Sequence, residues 1–193
     1  MNPIENFFDS LAETWDDFEE TPKDFLNELI SSLGIKKRDK VLDLACGTGI
    51  ITGLIHDITG VDVDAIDLSQ KMIEKAKIKY KDYSWAHFYK DDFLNTNLVG
   101  KYNFIVIYNA YPHFIKPAVL SENLAKHLYS NGKFAIVHSF SRERLNAHHH
   151  GLNTATSRNI TPIENEAKFF EKEFKITKAF EDETRIILIG ELK

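Results

Sequence analysis

Val41-Leu42-Asp43-Leu44-Ala45-Cys46-Gly47-Thr48-Gly49 decides how the rest of this chain is read. The apolar run Val41 to Ala45 has the length and character of a buried strand, and Ile50 to Ile58 then carries apolar residues at helical spacing. The turn between them holds two glycines. Glycine accepts positive φ and has no side chain, so a ligand can come close to the backbone there. The helix that follows points its amide dipoles at the same place. In an open parallel sheet, this crevice at the carboxyl end of a strand is where ligands bind.

Outward from that segment, strands and helices alternate. Val61 to Leu68 reads as a strand, Ser69 as the cap of a helix from Gln70 to Tyr80, and Trp85 to Tyr89 as a third strand. Phe104 to Ile107 is a fourth strand, Pro117 to Tyr129 a helix stopped by Asn131-Gly132, and Phe134 to His138 a fifth strand. Glu164 to Phe174 reads as helical. Lys175 to Phe180 and Arg185 to Leu192 read as two strands, and so short a link joins only antiparallel neighbours. Upstream, residues 3–33 are helical. Phe7, Phe8, Leu11, Trp15 and Phe18 form one apolar face, and Thr21 is placed to cap a second piece that begins at Pro22. The expectation is an α/β fold: a doubly wound, Rossmann-like, mostly parallel seven-stranded sheet with a C-terminal antiparallel strand and helices on both faces. Residues 1–193 make a single domain in this reading, with an N-terminal helical cap at 1–36 and the core at 37–193.

The chain has 193 residues, a net charge of -5 and 43% hydrophobic residues. One domain accounts for that length. No basic stripe is visible, so no nucleic-acid partner is expected. Cys46 is the one cysteine, which excludes an intrachain disulfide and fits a reducing compartment. The first residues show no positive n-region, and no run approaches the ~20 apolar residues of a membrane helix. A cytoplasmic protein without a membrane partner is expected, as a monomer or homodimer.

Two further carboxylate positions sharpen the reading. Asp67 closes the second strand, about 20 residues after the glycine turn, where an acidic residue accepts hydrogen bonds from both hydroxyls of a ribose. Asp91-Asp92 follows the third strand and can accept from an adenine amino group. With these in place, the chain resembles the class I S-adenosylmethionine-dependent methyltransferases. Asp43 to Gly49 matches that family's first motif in its Ala-Cys form. Asp67-Leu68-Ser69-Gln70-Lys71-Met72 resembles its Asp-x-Ser-x-x-Met pattern, and Lys90-Asp91-Asp92-Phe93 its acidic motif after the third strand. The resemblance implies S-adenosylmethionine as cofactor and S-adenosylhomocysteine as product. It implies that Asp43, Ala45, Cys46, Gly47 and Gly49 hold the methionine part and that Asp67 with Leu68 holds the ribose. Met72 would line the adenine pocket, and Asp92 with the Phe93 amide would read the adenine edge, Asp91 being the alternative. A nicotinamide fingerprint needs a third glycine at position 52, which is Thr52, and a P-loop needs a lysine that is absent.

The acceptor side is written less clearly. Tyr108-Asn109-Ala110-Tyr111-Pro112-His113-Phe114 leaves the fourth strand at its carboxyl end. Asn109 is a candidate cofactor contact and Tyr111 a candidate acceptor contact there. His113 is the candidate base or orienting group, because histidine titrates near neutrality. His138 and His149 are candidates to complete the acceptor pocket, and Trp15 to cover it. The run His148-His149-His150 reads equally as a solvated cluster. No metal is predicted, although histidines from separate segments would be needed for one and are available. The expected partner is a small-molecule methyl acceptor. A cofactor-binding sensor, or an enzyme acting on RNA or protein, is the alternative.

Overall fold

The computed structural model describes residues 2–18, 20–96, 100–149 and 155–193. They form two compact units, Met1–Thr96 and Asn97–Lys193. Seven strands follow the sheet order β3-β2-β1-β4-β5-β7-β6.

In the first unit, α1 (Pro3–Leu11) begins under the Asn2 side chain, which accepts from the Ile4 amide at 3.0 Å. Proline at the first helical position costs no hydrogen bond there. A short 3₁₀ turn follows at Trp15–Phe18, then α2 (Lys23–Ser31). Pro22 itself occupies the cap position of α2, one place before the first helical position expected for it. The strands β1 (Val41–Leu44), β2 (Val63–Asp67) and β3 (Ala86–Lys90) alternate with α3 (Thr52–Thr59) and α4 (Gln70–Lys79). β1 is buried throughout, as a strand covered on both faces must be. Gly60 ends α3 in the left-handed conformation, and the Ser69 hydroxyl caps α4 by accepting from the Met72 amide at 3.1 Å. Parallel pairing sets Leu44 beside Ile66 and Asp67 beside Lys90. The carboxyl ends of all three strands therefore come out side by side, which positions the first site.

The second unit contains β4 (Tyr102–Tyr108), a 3₁₀ turn at Tyr111–His113, α5 (Pro117–His127), β5 (Leu128–His138) and α6 (Arg142–His149). α7 (Ile163–Ala167), β6 (Phe174–Glu181) and β7 (Ile186–Leu192) follow. β4 and β5 are parallel, and β7 runs antiparallel to both β5 and β6. β5 starts at Leu128 rather than Phe134, because Leu128 already pairs with Tyr102. A register shift before the Phe104–Lys133 pair absorbs the Asn131-Gly132 segment, where Asn131 has φ 63°. The helix expected over Glu164 to Phe174 is regular only through Ala167. Tighter i to i+3 bonds follow, such as Phe170 N–H to the Ala167 carbonyl at 2.9 Å. Among the described residues no helix is long and apolar enough to cross a membrane.

Candidate active site

The turn after β1 reverses the chain through three left-handed residues: Ala45 at φ 59°, Gly47 at 54° and Gly49 at 82°. What holds that shape is the neighbouring strand end. The Cys46 amide donates to the Ile66 carbonyl at 3.0 Å, and the Gly47 amide donates to Asp67 Oδ2 at 2.8 Å. Asp67 Oδ1 accepts from the Ser69 amide at 2.8 Å, and its carbonyl accepts from the Asp91 amide at 2.9 Å. Thus the glycine turn, the carboxylate after β2 and the loop after β3 meet at one corner of the first unit. A carboxylate offers about four lone-pair sites, so hydroxyl donors can join the backbone donors already on Asp67.

The two glycines leave room for protein as well as ligand. A Cβ on Gly47 would lie 3.3 Å from Trp15 Nε1, and one on Gly49 would meet Tyr80 at 2.9 Å and Phe88 at 3.0 Å. Asp43 is buried behind the turn and accepts from the Thr52 hydroxyl at 2.6 Å. Burial pushes the Asp43 carboxyl up to about 7, against the Thr52 hydrogen bond and with help from the Asp67 charge. Asp67 is pushed up to about 6 by burial, opposed by the Ser69, Gly47 and Leu68 amides. Burial, then Asp43 and Asp67, hold the Cys46 thiol well above its ordinary value, so it stays protonated and is no nucleophile. Leu68 is half-buried and Met72 is buried at the start of α4. Asp92 caps its own turn, accepting from the Leu94 amide at 3.1 Å and from Asn95 Nδ2 at 2.9 Å, and Phe93 is buried. Asp91 accepts from the Thr96 hydroxyl.

A row of N-terminal carboxylates escaped the sequence reading. Glu5, Asp9, Glu13 and Asp16 recur at helical steps along one face. Glu5 pairs with Lys90 at 2.9 Å, Glu13 with Lys75 at 2.6 Å and Asp16 with Lys79 at 3.2 Å. Asp9 accepts from the Ser69 hydroxyl at 2.5 Å and from the Lys71 amide at 3.2 Å, while the Thr48 hydroxyl donates to Asp16. The signal was present: Lys71, Lys75 and Lys79 share the complementary spacing. The aromatic face expected from Phe7, Phe8 and Trp15 also exists, with Phe8 and Trp15 rings 5.5 Å apart, edge to face. The Phe18 side chain lies outside the described residues.

In the second unit, Asn109 leaves β4 at φ 51° and uses its amide on the end of β5. Its Nδ2 donates to Ser139 Oγ and its Oδ1 accepts from the Ser139 amide, both at 3.0 Å. Tyr111 is 0% exposed and donates its hydroxyl to Glu166 Oε2 at 2.8 Å. The Arg158 guanidinium lies 4.7 Å over the Tyr111 ring and grips both Glu166 oxygens, at 2.7 and 3.2 Å. Thr161 adds its amide and hydroxyl to Glu166. Burial works to raise the Glu166 carboxyl, but Arg158 and Thr161 overcome it and hold it below the usual range. Tyr111 is held protonated, its pKa raised chiefly by burial. His138 is likewise 0% exposed, so neither side chain presents surface to an acceptor here. His113 is half-buried, with Nδ1 2.8 Å from the Thr156 carbonyl. A carbonyl only accepts, so Nδ1 carries a hydrogen. The His149 backbone closes α6, but the side chains of His148 to His150 lie outside the described residues. Among the described residues, no three His, Cys, Asp or Glu side chains group as a metal ion requires.

Residues 41–132 match the family model of a methyltransferase domain. A malonyl-[acyl-carrier protein] O-methyltransferase of Ilyobacter polytropus is 31% identical over 121 residues, which is 62% of this chain and 44% of that protein. The chain therefore spans under half the length of that relative. Among solved structures, a complex between the Haloferax volcanii Trm112 methyltransferase activator and a methyltransferase superposes with TM-score 0.80 at 16% identity, covering 96% of this chain and 97% of the other. The N-methyltransferase NodS of Bradyrhizobium japonicum, solved with S-adenosylhomocysteine, superposes at 0.76 with 13% identity over 100% and 99% of the two chains. With the strand order, the glycine turn and the carboxylate after β2 in place, residues 41–132 match a methyltransferase domain, and the chain carries the fold of the methyltransferases it superposes on.

Proposed function

We propose that the chain works as one methyltransferase domain that transfers a methyl group from S-adenosylmethionine to a small-molecule acceptor. The observation that carries the cofactor half is the 2.8 Å bond from the Gly47 amide to Asp67, which joins the turn and the ribose-type carboxylate. In this reading Asp43, Ala45, Cys46, Gly47 and Gly49 shape the place of the methionine part. Asp67 and Leu68 take the ribose, Met72 lines the adenine, and Asp92 with Phe93 reads its edge. The bound cofactor supplies a methyl carbon already activated by a sulfonium. The chain's own task is then alignment, for which roughly 7–11 kcal/mol is available in favourable cases. Asn109 braces the end of β4, and His113 is the base or orienting group for an acceptor that must lose a proton. Trp15, over Gly47, covers the cofactor as part of a lid latched by Asp9 and Asp16.

The curated relatives are named for malonyl-acyl carrier protein, so an acyl thioester with a free carboxylate heads the acceptor panel. The test is calorimetric titration with S-adenosylhomocysteine, followed by acceptor screening with a labelled methyl donor. Micromolar binding and a labelled product support the reading. Folded protein with no heat of binding ends it, and binding without turnover on any acceptor turns it into a sensor. His113→Ala is expected to cut turnover by about 10²-fold or more for an acceptor that must lose a proton, with cofactor affinity unchanged.

A further inference from the structure

Tyr80 closes α4, and its ring lies in the space that Gly49 leaves by having no side chain. The ring is walled by Phe88 at 5.1 Å and Trp85 at 5.8 Å. Its hydroxyl donates to the Gly49 carbonyl at 2.7 Å and accepts from the Gly53 amide at 3.2 Å. Gly49 is the last residue of the glycine turn, and Gly53 lies in the first turn of α3, whose N–H groups have no partner within the helix. Ile51 stands at the cap position of α3 and has no side chain able to cap it. Tyr80 therefore delivers from another element the cap that the local sequence omits. It also ties that cap to a turn whose left-handed residues need outside support.

We propose that the Tyr80 hydroxyl is a positioning residue for cofactor binding: it clamps Gly49 to Gly53 and holds the 45–49 turn in its receiving shape. This rests on the reading that the turn receives the cofactor. Tyr80 touches no reacting atom and acts through the backbone on either side of Ile51. Tyr80→Phe keeps the ring against Phe88 and Trp85 and removes only the clamp. Tyr83→Phe is the control, since Tyr83 belongs to the same aromatic group and is exposed.

The experiment is titration of the full chain with S-adenosylhomocysteine, together with melting of each ligand-free protein. Tyr80→Phe is expected to raise the Kd about tenfold, from loss of two hydrogen bonds, while Tyr83→Phe stays within about twofold. With a working acceptor, the KM for S-adenosylmethionine rises and kcat holds. A purely structural hydroxyl lowers the melting temperature and leaves the Kd alone, and that result overturns the proposal. The unaltered protein gives a second test. Coupling is reciprocal, so a clamp that favours the ligand is tightened by it. Saturating S-adenosylhomocysteine is expected to slow exchange of the Gly53 amide by about tenfold. Unchanged Gly53 exchange in protein that binds the ligand overturns the proposal, whereas absence of binding by the unaltered protein overturns the cofactor reading beneath it.

Discussion

The corner around Asp67 and the segment after β4 solve the same problem, a chain leaving a strand in a left-handed step, in opposite ways. Ala45, Gly47 and Gly49 are steadied largely by backbone amides that reach one carboxylate and one neighbouring strand. Asn109 is steadied by its own side chain on the Ser139 amide and hydroxyl, and Tyr111 by the Glu166 side chain, both far along the sequence. Backbone geometry demands particular residue types at fixed spacing, and a motif results. A side-chain network accepts many residue types at many distances, and leaves no spacing to read. The two regions also hold their acids differently: burial raises Asp43 and Asp67, while Arg158 and Thr161 hold Glu166 low.

The largest expected effect is in the second region. Glu166→Ala strands the Arg158 guanidinium and the Tyr111 hydroxyl, and breaking a buried pair of this kind costs about 3–5 kcal/mol. Chemical denaturation of the variant measures it. A loss below ~1 kcal/mol would remove the Glu166 network as the thing that steadies Tyr111. Next comes Asp67→Asn. Its amide nitrogen must face one of the donors from Gly47 or Ser69, and the charged acceptor for a ribose is gone. S-adenosylhomocysteine affinity is expected to fall about a hundredfold, with a fold that still melts cooperatively. Affinity within threefold of the unaltered protein would take Asp67 out of the site.

The pH responses of the two regions should run in opposite directions. The Asp43 and Asp67 carboxyls hold protons more tightly folded than unfolded. Between about pH 4 and 7 the folded first unit therefore binds more protons, and its stability falls as pH rises through that window. Glu166 is the reverse: its contribution is complete above the usual glutamate range and is lost as pH falls through and below it. Amide exchange on β2 and β7, corrected for intrinsic rates, reads the two separately. Parallel responses would dissolve the contrast. Ligand binding adds a sharper sign, because deprotonated Asp67 is the better acceptor, so affinity should rise as pH passes upward through about 6.

The smallest effect concerns the N-terminal carboxylates. Their lysine partners are 35–43% exposed, and pairs open to solvent are weak and screened by salt. Raising salt from 0.05 to 0.5 M should speed proteolysis within residues 3–18 a few-fold in ligand-free protein, and less with S-adenosylhomocysteine bound. Salt-independent cleavage would leave the attachment to the aromatic packing of Phe8 and Trp15 and to the hydrogen bonds that Asp9 and Asp16 accept.

By itself the sequence determined the alternation of strands and helices, the turn after β1, the cap at Ser69 and the placement of an acid at the end of β2. Each follows from a local rule: periodicity, positive φ, an orphaned helix amide, the length of a strand. Only the tertiary structure decided that Trp15 and Tyr80 fill the places left by Gly47 and Gly49, that Tyr111 turns inward to Glu166, and that β5 begins at Leu128. It also decided which His113 nitrogen donates its hydrogen, to the Thr156 carbonyl. Those outcomes depend on which side chains meet across tens of residues. Close packing selects such partners by shape and hydrogen-bond satisfaction rather than by any interval along the chain.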